Sequence, residues 1–309
     1  MKKYNILLLC FIAFGLYACN KLTLTTPAFD VTVNKTTFKV GDSVVFVLSG
    51  NPDNIGFYSG EVGHIYDYKN RTSVTGALNQ LSFSTATANL AAGNTGQTGN
   101  LKLLVSSNFT GQVDSLHIRQ ATWTDVTNRA TIATNATATS SGTVNLSDFQ
   151  QAGDSLYVAF KYLSNTSSTA ARARQYTVSA FVFQNTFPDG TIYVHNTINT
   201  DVRFAGFAAT SFKGTSVKDS LKWAIGSTLA FAQGVDNLSD EDWAITKKFR
   251  LSAIPPDVAV GIKNNQVVLP QYVYKYTKPG TYTVTFVGNN VTGDGISAVT
   301  KTLTITVTP

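Results

Sequence analysis

A hydrophobic period of two residues returns along the whole of this chain and constrains its fold more than any other feature. Tyr282, Val284 and Phe286 alternate with Thr281, Thr283 and Thr285, and Leu303, Ile305 and Val307 repeat the pattern near the end. Val31 and Val33 show it near the start, Val44, Phe46 and Leu48 after the Gly41-Asp42 turn, and Leu101, Leu103 and Val105 further on. Leu156, Val158, Phe160 and Tyr162 carry it through the middle. Successive side chains of a strand point to opposite faces, so a sheet with one buried face writes this alternation, whereas a helix writes a period of 3.6. Turns rich in Gly, Asn and Asp separate the runs, which predicts an all-β protein made of β-sandwiches. Composition agrees. Of the 18 acidic residues only Glu61 and Glu241 are glutamates, so the usual vocabulary of helix surfaces is missing. Two short helical turns are expected, over residues 217–224 and 239–244, the second with Ser239 as N-cap and acids in its first turn.

The start of the chain constrains its address. Met1-Lys2-Lys3 is positive, residues 6–16 are apolar but too few to span a bilayer as a mature helix, and Leu16-Tyr17-Ala18-Cys19 follows. A small residue before a cysteine, with an aliphatic residue three positions ahead of it, resembles a bacterial lipobox. That resemblance implies a signal peptide over 1–18, lipidation of Cys19, a tether over 19–28 and a protein anchored in the outer membrane. The competing reading is an ordinary secretory leader with an incidental cysteine. Cys10 leaves with either leader, so the mature chain is expected to hold no disulfide and to rely on buried area. The formal charge of +6 includes Lys2 and Lys3, and no Lys/Arg run forms a basic stripe, which excludes nucleic acid as a partner. Lys247-Lys248-Phe249-Arg250 reads instead as a strand edge guarded by charge.

Two stretches carry a resemblance to immunoglobulin-like domains of the PKD type. Residues 272–286, Tyr-Val-Tyr-Lys-Tyr-Thr-Lys-Pro-Gly-Thr-Tyr-Thr-Val-Thr-Phe, resemble the E-to-F hairpin, and residues 38–46, Phe-Lys-Val-Gly-Asp-Ser-Val-Val-Phe, resemble strands A and B. Each half alone leaves a sheet edge and an apolar face in water. One sandwich split between 29–69 and 254–309 is therefore expected, with a second domain inserted over 70–253; two separate small domains are the rival. The insert, with Leu81-Ser82-Phe83-Ser84, the Trp123 segment, residues 156–162 and Asp242-Trp243-Ala244, resembles jelly-roll choice-of-anchor and carbohydrate-binding-like domains. Together with the lipobox and Phe57-Tyr58-Ser59-Gly60-Glu61-Val62-Gly63-His64, the chain resembles an uncharacterised lipoprotein family of Bacteroidetes. That likeness implies a polysaccharide-utilisation system with a SusD-like partner and a TonB-dependent transporter, and display at the cell surface. Asn20-Lys21 departs from the acidic surface-export signal of that phylum, which leaves a periplasm-facing anchor open.

Catalytic constellations are hard to find. Most aspartates sit in turns such as Pro188-Asp189-Gly190, the three histidines are isolated, and no Gly-x-Ser-x-Gly elbow occurs. The expectation is a binding protein and not an enzyme, with a polysaccharide-active enzyme as the distant alternative. Sugar binding would stack aromatic faces on a pyranose ring, with Trp223, Tyr193 and Trp243 as candidates; Trp223 is expected to be the most exposed tryptophan and Trp123 to lie in a core strand. Tyr58, Glu61 and His64 are candidates for a ligand or interdomain contact, against a structural reading in which Glu61 is held by backbone amides or by Arg71. The densest acidic stretch places Asp236, Asp240 and Asp242 as candidate oxygen ligands for calcium, without the alternating spacing of an EF-hand. No other cofactor is expected. The rival to glycan binding is a structural or adhesion lipoprotein that binds protein partners.

Overall fold

The computed structural model describes residues 23–88, 90, 92–165, 172–196, 201–212, 223–231 and 239–309. The protein is all-β, and it divides into two compact units. One joins the chain up to Asn70 with Pro256–Pro309, and the other is Arg71–Pro255.

The first unit packs two sheets face to face. Phe29–Val33, Ser43–Gly50 and Gln271–Lys275 form a three-stranded sheet in that order. The second sheet runs Val260–Lys263, Asn54–Tyr58, Gly280–Thr292, Gly295–Thr308 and Thr37–Lys39. Thr37–Lys39 lies parallel to its neighbour, whereas the other pairs are antiparallel. The period-two residues do the work expected of them: Val44, Phe46 and Leu48 from one sheet meet Phe57, Val284, Phe286 and Ile305 from the other in a single core. Phe46 and Phe57 each hold their ring centroid about 5 Å from that of Phe286, at 5.1 and 5.0 Å. Each such ring contributes roughly 1.5–3 kcal/mol by leaving water. Each sheet combines strands from before residue 70 with strands from after 256, so neither terminal segment completes a sheet alone.

The second unit is a larger sandwich. Its six-stranded sheet orders Ala208–Ser211, Asp240–Ile245, Ser155–Ser164, Leu101–Ser106 and Thr124–Asp125, with Phe249–Arg250 also on Ser155–Ser164. Its seven-stranded sheet orders Ala224–Ile225, Leu229–Phe231, Tyr176–Thr186, Leu78–Thr87 and Thr139–Ser140, with Ile192–Val194 and Val144–Asn145 alongside. Leu81, Phe83, Phe160, Phe181, Phe183 and Phe249 are among the residues filling the space between them.

One local expectation fails. Residues 239–244 form no helical turn; Asp240–Ile245 is a strand that pairs with Ser155–Ser164. Cross-strand packing of Trp243 and Ile245 on one face, with Ala244 on the other, outweighs the capping signal of Ser239. Of the turn expected over 217–224, residues 217–222 lie outside the described residues, and Ala224 opens the short strand Ala224–Ile225. The α-helix among the described residues, Ser115–Gln120, starts where Asp114 caps it, its Oδ1 accepting from the His117 backbone N–H at 2.9 Å.

Candidate ligand-binding face

Alternation along Asp240–Ile245 sends Asp240, Asp242 and Ala244 into the sandwich and Glu241, Trp243 and Ile245 to the opposite face of the six-stranded sheet. Register then sets that outer face. Lys161 stands opposite both Trp243 and Lys102, and Thr210 lies on the other side of Trp243. The loop carrying Phe109 and the helix carrying Ile118 cover the neighbouring part of the face, over Leu104, Tyr157 and Ile245.

An aromatic row borders the uncovered part. Trp123 packs on Trp243 with ring centroids 5.2 Å apart, and Phe212 stacks on the other side of Trp243 at 5.8 Å and 26°. Trp123 is pinned by its Nε1, which donates to the Ile118 carbonyl at 3.0 Å. Charges surround the row. Lys161 Nζ lies 5.1 Å above the Trp243 ring and 3.0 Å from Glu241 Oε1, which also accepts from Trp243 Nε1 at 3.1 Å. Arg119 sits 5.1 Å over Phe212, and Lys102 pairs with Asp125 at 3.6 Å. Burial opposes ionisation of Asp125, but hydrogen bonds from Thr127 and the Lys102 charge win and hold its carboxyl below the usual range. A ring with an exposed apolar face beside fixed donors and acceptors is the equipment for stacking on a sugar and bonding its hydroxyls. Glu241 and Asp125 on this face are thus engaged by Lys161 and Lys102.

The predicted site residues separate. Trp243 belongs to the face but is only 5 % exposed, so Trp123 and Phe212, both partly exposed, supply the free ring surface. Trp223 is 2 % exposed and packs against Phe231 in the core, contrary to the expectation that it would be the most exposed tryptophan; the sandwich buries its indole with Tyr162 and Phe231. Trp123 likewise departs from a core strand, lying just before Thr124–Asp125 with one side open. Tyr193 sits on the other sheet's strand Ile192–Val194, 4.8 Å from His195 and packed on the small cluster of Ala77, Phe187 and Ile254.

Tyr58, Glu61 and His64 stand in the first unit. Glu61 accepts from the Tyr274 hydroxyl and from Ser59 Oγ, and Tyr276 Oη donates to the Ser59 carbonyl at 2.8 Å. His64 Nδ1 meets the Val258 carbonyl at 2.6 Å, and the Tyr58 ring meets Tyr66 edge-on at 5.3 Å. These contacts fasten a turn. Arg71, named as a partner for Glu61, donates to Asp189 and Thr191 at 3.1 and 3.3 Å, and Tyr274 of Gln271–Lys275 donates to Glu61. Cys19 and Asp236 lie outside the described residues.

Lys102, Lys161, Arg119 and Phe212 went unread in the sequence. The available signal was Lys161 interrupting an apolar run between Phe160 and Tyr162. An open cleft of about 480 Å³ in the same unit, lined by Gln150, Asp154 and Arg250 among others, carries no aromatic ring, and its Asp154 and Arg250 are already paired at 3.0 Å. Among the described residues, no three His, Cys, Asp or Glu side chains come together, and no helix is long and apolar enough to cross a membrane.

A two-sandwich all-β protein with an aromatic, charge-flanked sheet face is the class these features define. A family model described as a domain of unknown function (DUF5017) matches residues 18–203, more than half of the chain, and the chain belongs to that family. No curated protein and no solved structure matches it.

Proposed function

We propose that this protein is a lipid-anchored accessory component of the outer membrane that captures glycans without cleaving them, beside a SusD-like and TonB-dependent transport complex. The observation that carries glycan capture is the row Trp123–Trp243–Phe212 flanked by Lys161, Glu241 and Arg119 on a sheet face. The leader and Cys19 support the membrane address, with the cell surface favoured over the periplasmic face.

Affinity electrophoresis of a soluble form, residues 22–309, through gels cast with different polysaccharides tests the first part. Retardation by at least one polysaccharide is expected, and loss of one ring in Trp123→Ala or Phe212→Ala weakens it about tenfold, the scale of roughly 1–1.5 kcal/mol for an aromatic contact. Tyr193→Ala leaves retardation unchanged. Migration unaffected by every polysaccharide would favour the adhesion reading, and release of reducing sugar would revive the enzyme. Mass spectrometry of native material tests the anchor: the expected amino terminus is an acylated Cys19, with residues 1–18 gone.

A further inference from the structure

One end of the first unit gathers exposed apolar side chains beside the place where the chain leaves towards Cys19. Gly280–Thr292 and Gly295–Thr308 form a long hairpin closed by Gly293-Asp294, and its register sets Val291 opposite Ile296 next to that turn. Opposed residues share a face, and these two stand 46 % and 68 % exposed. From Phe29 back towards its start, the chain follows this hairpin to the tip. Phe29 packs on Gly288, and Thr26 Oγ1 accepts from Ser297 Oγ at 3.3 Å. Asn290 Nδ2 donates to the Thr25 carbonyl at 3.0 Å, and a methyl on Gly295 would meet Leu24 Cδ2 at 3.8 Å. A second apolar loop reaches the same end. Lys263 is buried, its Nζ donating to the carbonyls of Pro52 and Asn264 at 2.6 and 3.0 Å, while Asp53 accepts from the Val291 N–H at 2.8 Å. The loop that Asn264 opens carries Val267 and Val268, which are 51 % and 72 % exposed.

We propose that this end of the first unit, through Val291, Ile296, Val267 and Val268, rests on the lipid surface to which Cys19 holds the chain. The seat depends on the lipid anchor proposed above. Five residues lead from Leu24 to Cys19, and an extended chain covers at most about 3.6 Å per residue, so an acylated Cys19 keeps Leu24 within about 18 Å of the bilayer. The hairpin is longer than that: the strand from Gly280 to Thr292 spans about 40 Å. The tether therefore holds the Val291–Ile296 end at the interface, whereas the Pro279-Gly280 end is free to stand clear of it. Exposed apolar side chains gathered in one place mark an interaction surface, and a bilayer is the partner that the chain itself brings to this one. Acyl chains supply the affinity, and the four side chains set the orientation by entering the boundary between headgroups and acyl chains. Lys263 is engaged by carbonyls, so the contact is apolar and is expected on zwitterionic lipid.

The test attaches the anchor chemically, so its result does not depend on whether the cell acylates Cys19. Residues 19–309 contain a single thiol, Cys19, which couples to a maleimide-bearing phospholipid in phosphatidylcholine vesicles. Depth is read from a tryptophan introduced as Ile296→Trp, as Val268→Trp or, at the far end of the hairpin, as Lys278→Trp. Spin-labelled phospholipid quenches indoles that meet the membrane, and the chain's own Trp123, Trp223 and Trp243 all lie in the second unit and give the background. At least half of the emission added by Ile296→Trp and by Val268→Trp is expected to be quenched on coupled vesicles, with that of Lys278→Trp unchanged. Adding Val291→Ser and Ile296→Ser to the Val268→Trp chain should lower its quenching at least twofold. Equal quenching at all three positions, or none at 268 and 296, overturns the proposal. Absent quenching together with an acylated Cys19 in native material would remove the seat and keep the anchor.

Discussion

His195 shows how a single residue departs from what its neighbours in sequence imply. It stands alone in the chain, yet the fold packs its ring against Phe183, Tyr193 and Phe249 at 5.1, 4.8 and 5.2 Å, and leaves it 8 % exposed. Burial, with the Lys247 charge adding to it, pushes its pKa down to about 4. An unfolded histidine titrates near 6.5, so between these values the unfolded chain holds a proton that the folded one refuses. The stability due to neutral His195 is complete above pH 6.5 and is lost as pH falls towards 4. Urea unfolding of the wild type should therefore weaken by about 2 kcal/mol more than that of His195→Phe between pH 6.5 and 5. A wild type and variant that fall in parallel would refute this. Burial is a tertiary quantity, and the same reason explains the tryptophans: Trp223 and Trp123 exchanged their expected places because indole exposure depends on which loops cover a sheet, and no local pattern states that.

At the scale of elements the sequence was more informative. Buried Tyr176 and Val178 occupy even positions of Tyr176–Thr186, while Phe181 and Phe183 occupy odd ones, so the period-two pattern changes phase within one strand. The structure answers with a β-bulge between Ser179 and Val182 opposite Leu78–Thr87, and Ala180 takes φ +51° there. The bulge lets both pairs face the same core. A left-handed conformation suits glycine, and an L side chain pays roughly 1–2 kcal/mol for it, part of which glycine's unfolded entropy offsets. Ala180→Gly should thus stabilise the protein by about 0.5–1 kcal/mol, read as a higher thermal midpoint. An unchanged or lower midpoint would show that the methyl packs usefully. Strands were legible because each needs only its own alternation. The misread element, residues 239–244, carried a helix N-cap signal in Ser239 and a strand signal in Glu241-Asp242-Trp243-Ala244, and the pairing with Ser155–Ser164, remote in sequence, decided between them.

At the scale of the whole molecule, the second unit closes on itself. Ser73 bridges Ala253, the Val74 N–H donates to Ser252 O at 2.9 Å, and the Ile254 N–H donates to Thr72 O at 3.3 Å. Residues 71–255 expressed alone should therefore unfold in one cooperative transition with native near-ultraviolet dichroism. Residues 23–70 alone should stay unfolded, since their strands pair with Gln271–Lys275, Gly280–Thr292 and Gly295–Thr308. Joining Asn70 to Pro256 through a short Gly/Ser linker should restore the first unit, as Asp257 N–H already bonds the Tyr68 carbonyl at 3.2 Å. A fragment 71–255 that remains unfolded would count against the unit as an independent sandwich. By itself the sequence determined the all-β class, the position of most strands and the apolar face of each, because alternation is local and many turns are announced by small or polar residues. The tertiary structure alone decided which strands are neighbours and that Trp123 and Phe212 flank Trp243. Those facts follow from pairing between segments dozens of residues apart, where register and not composition sets which side chains meet.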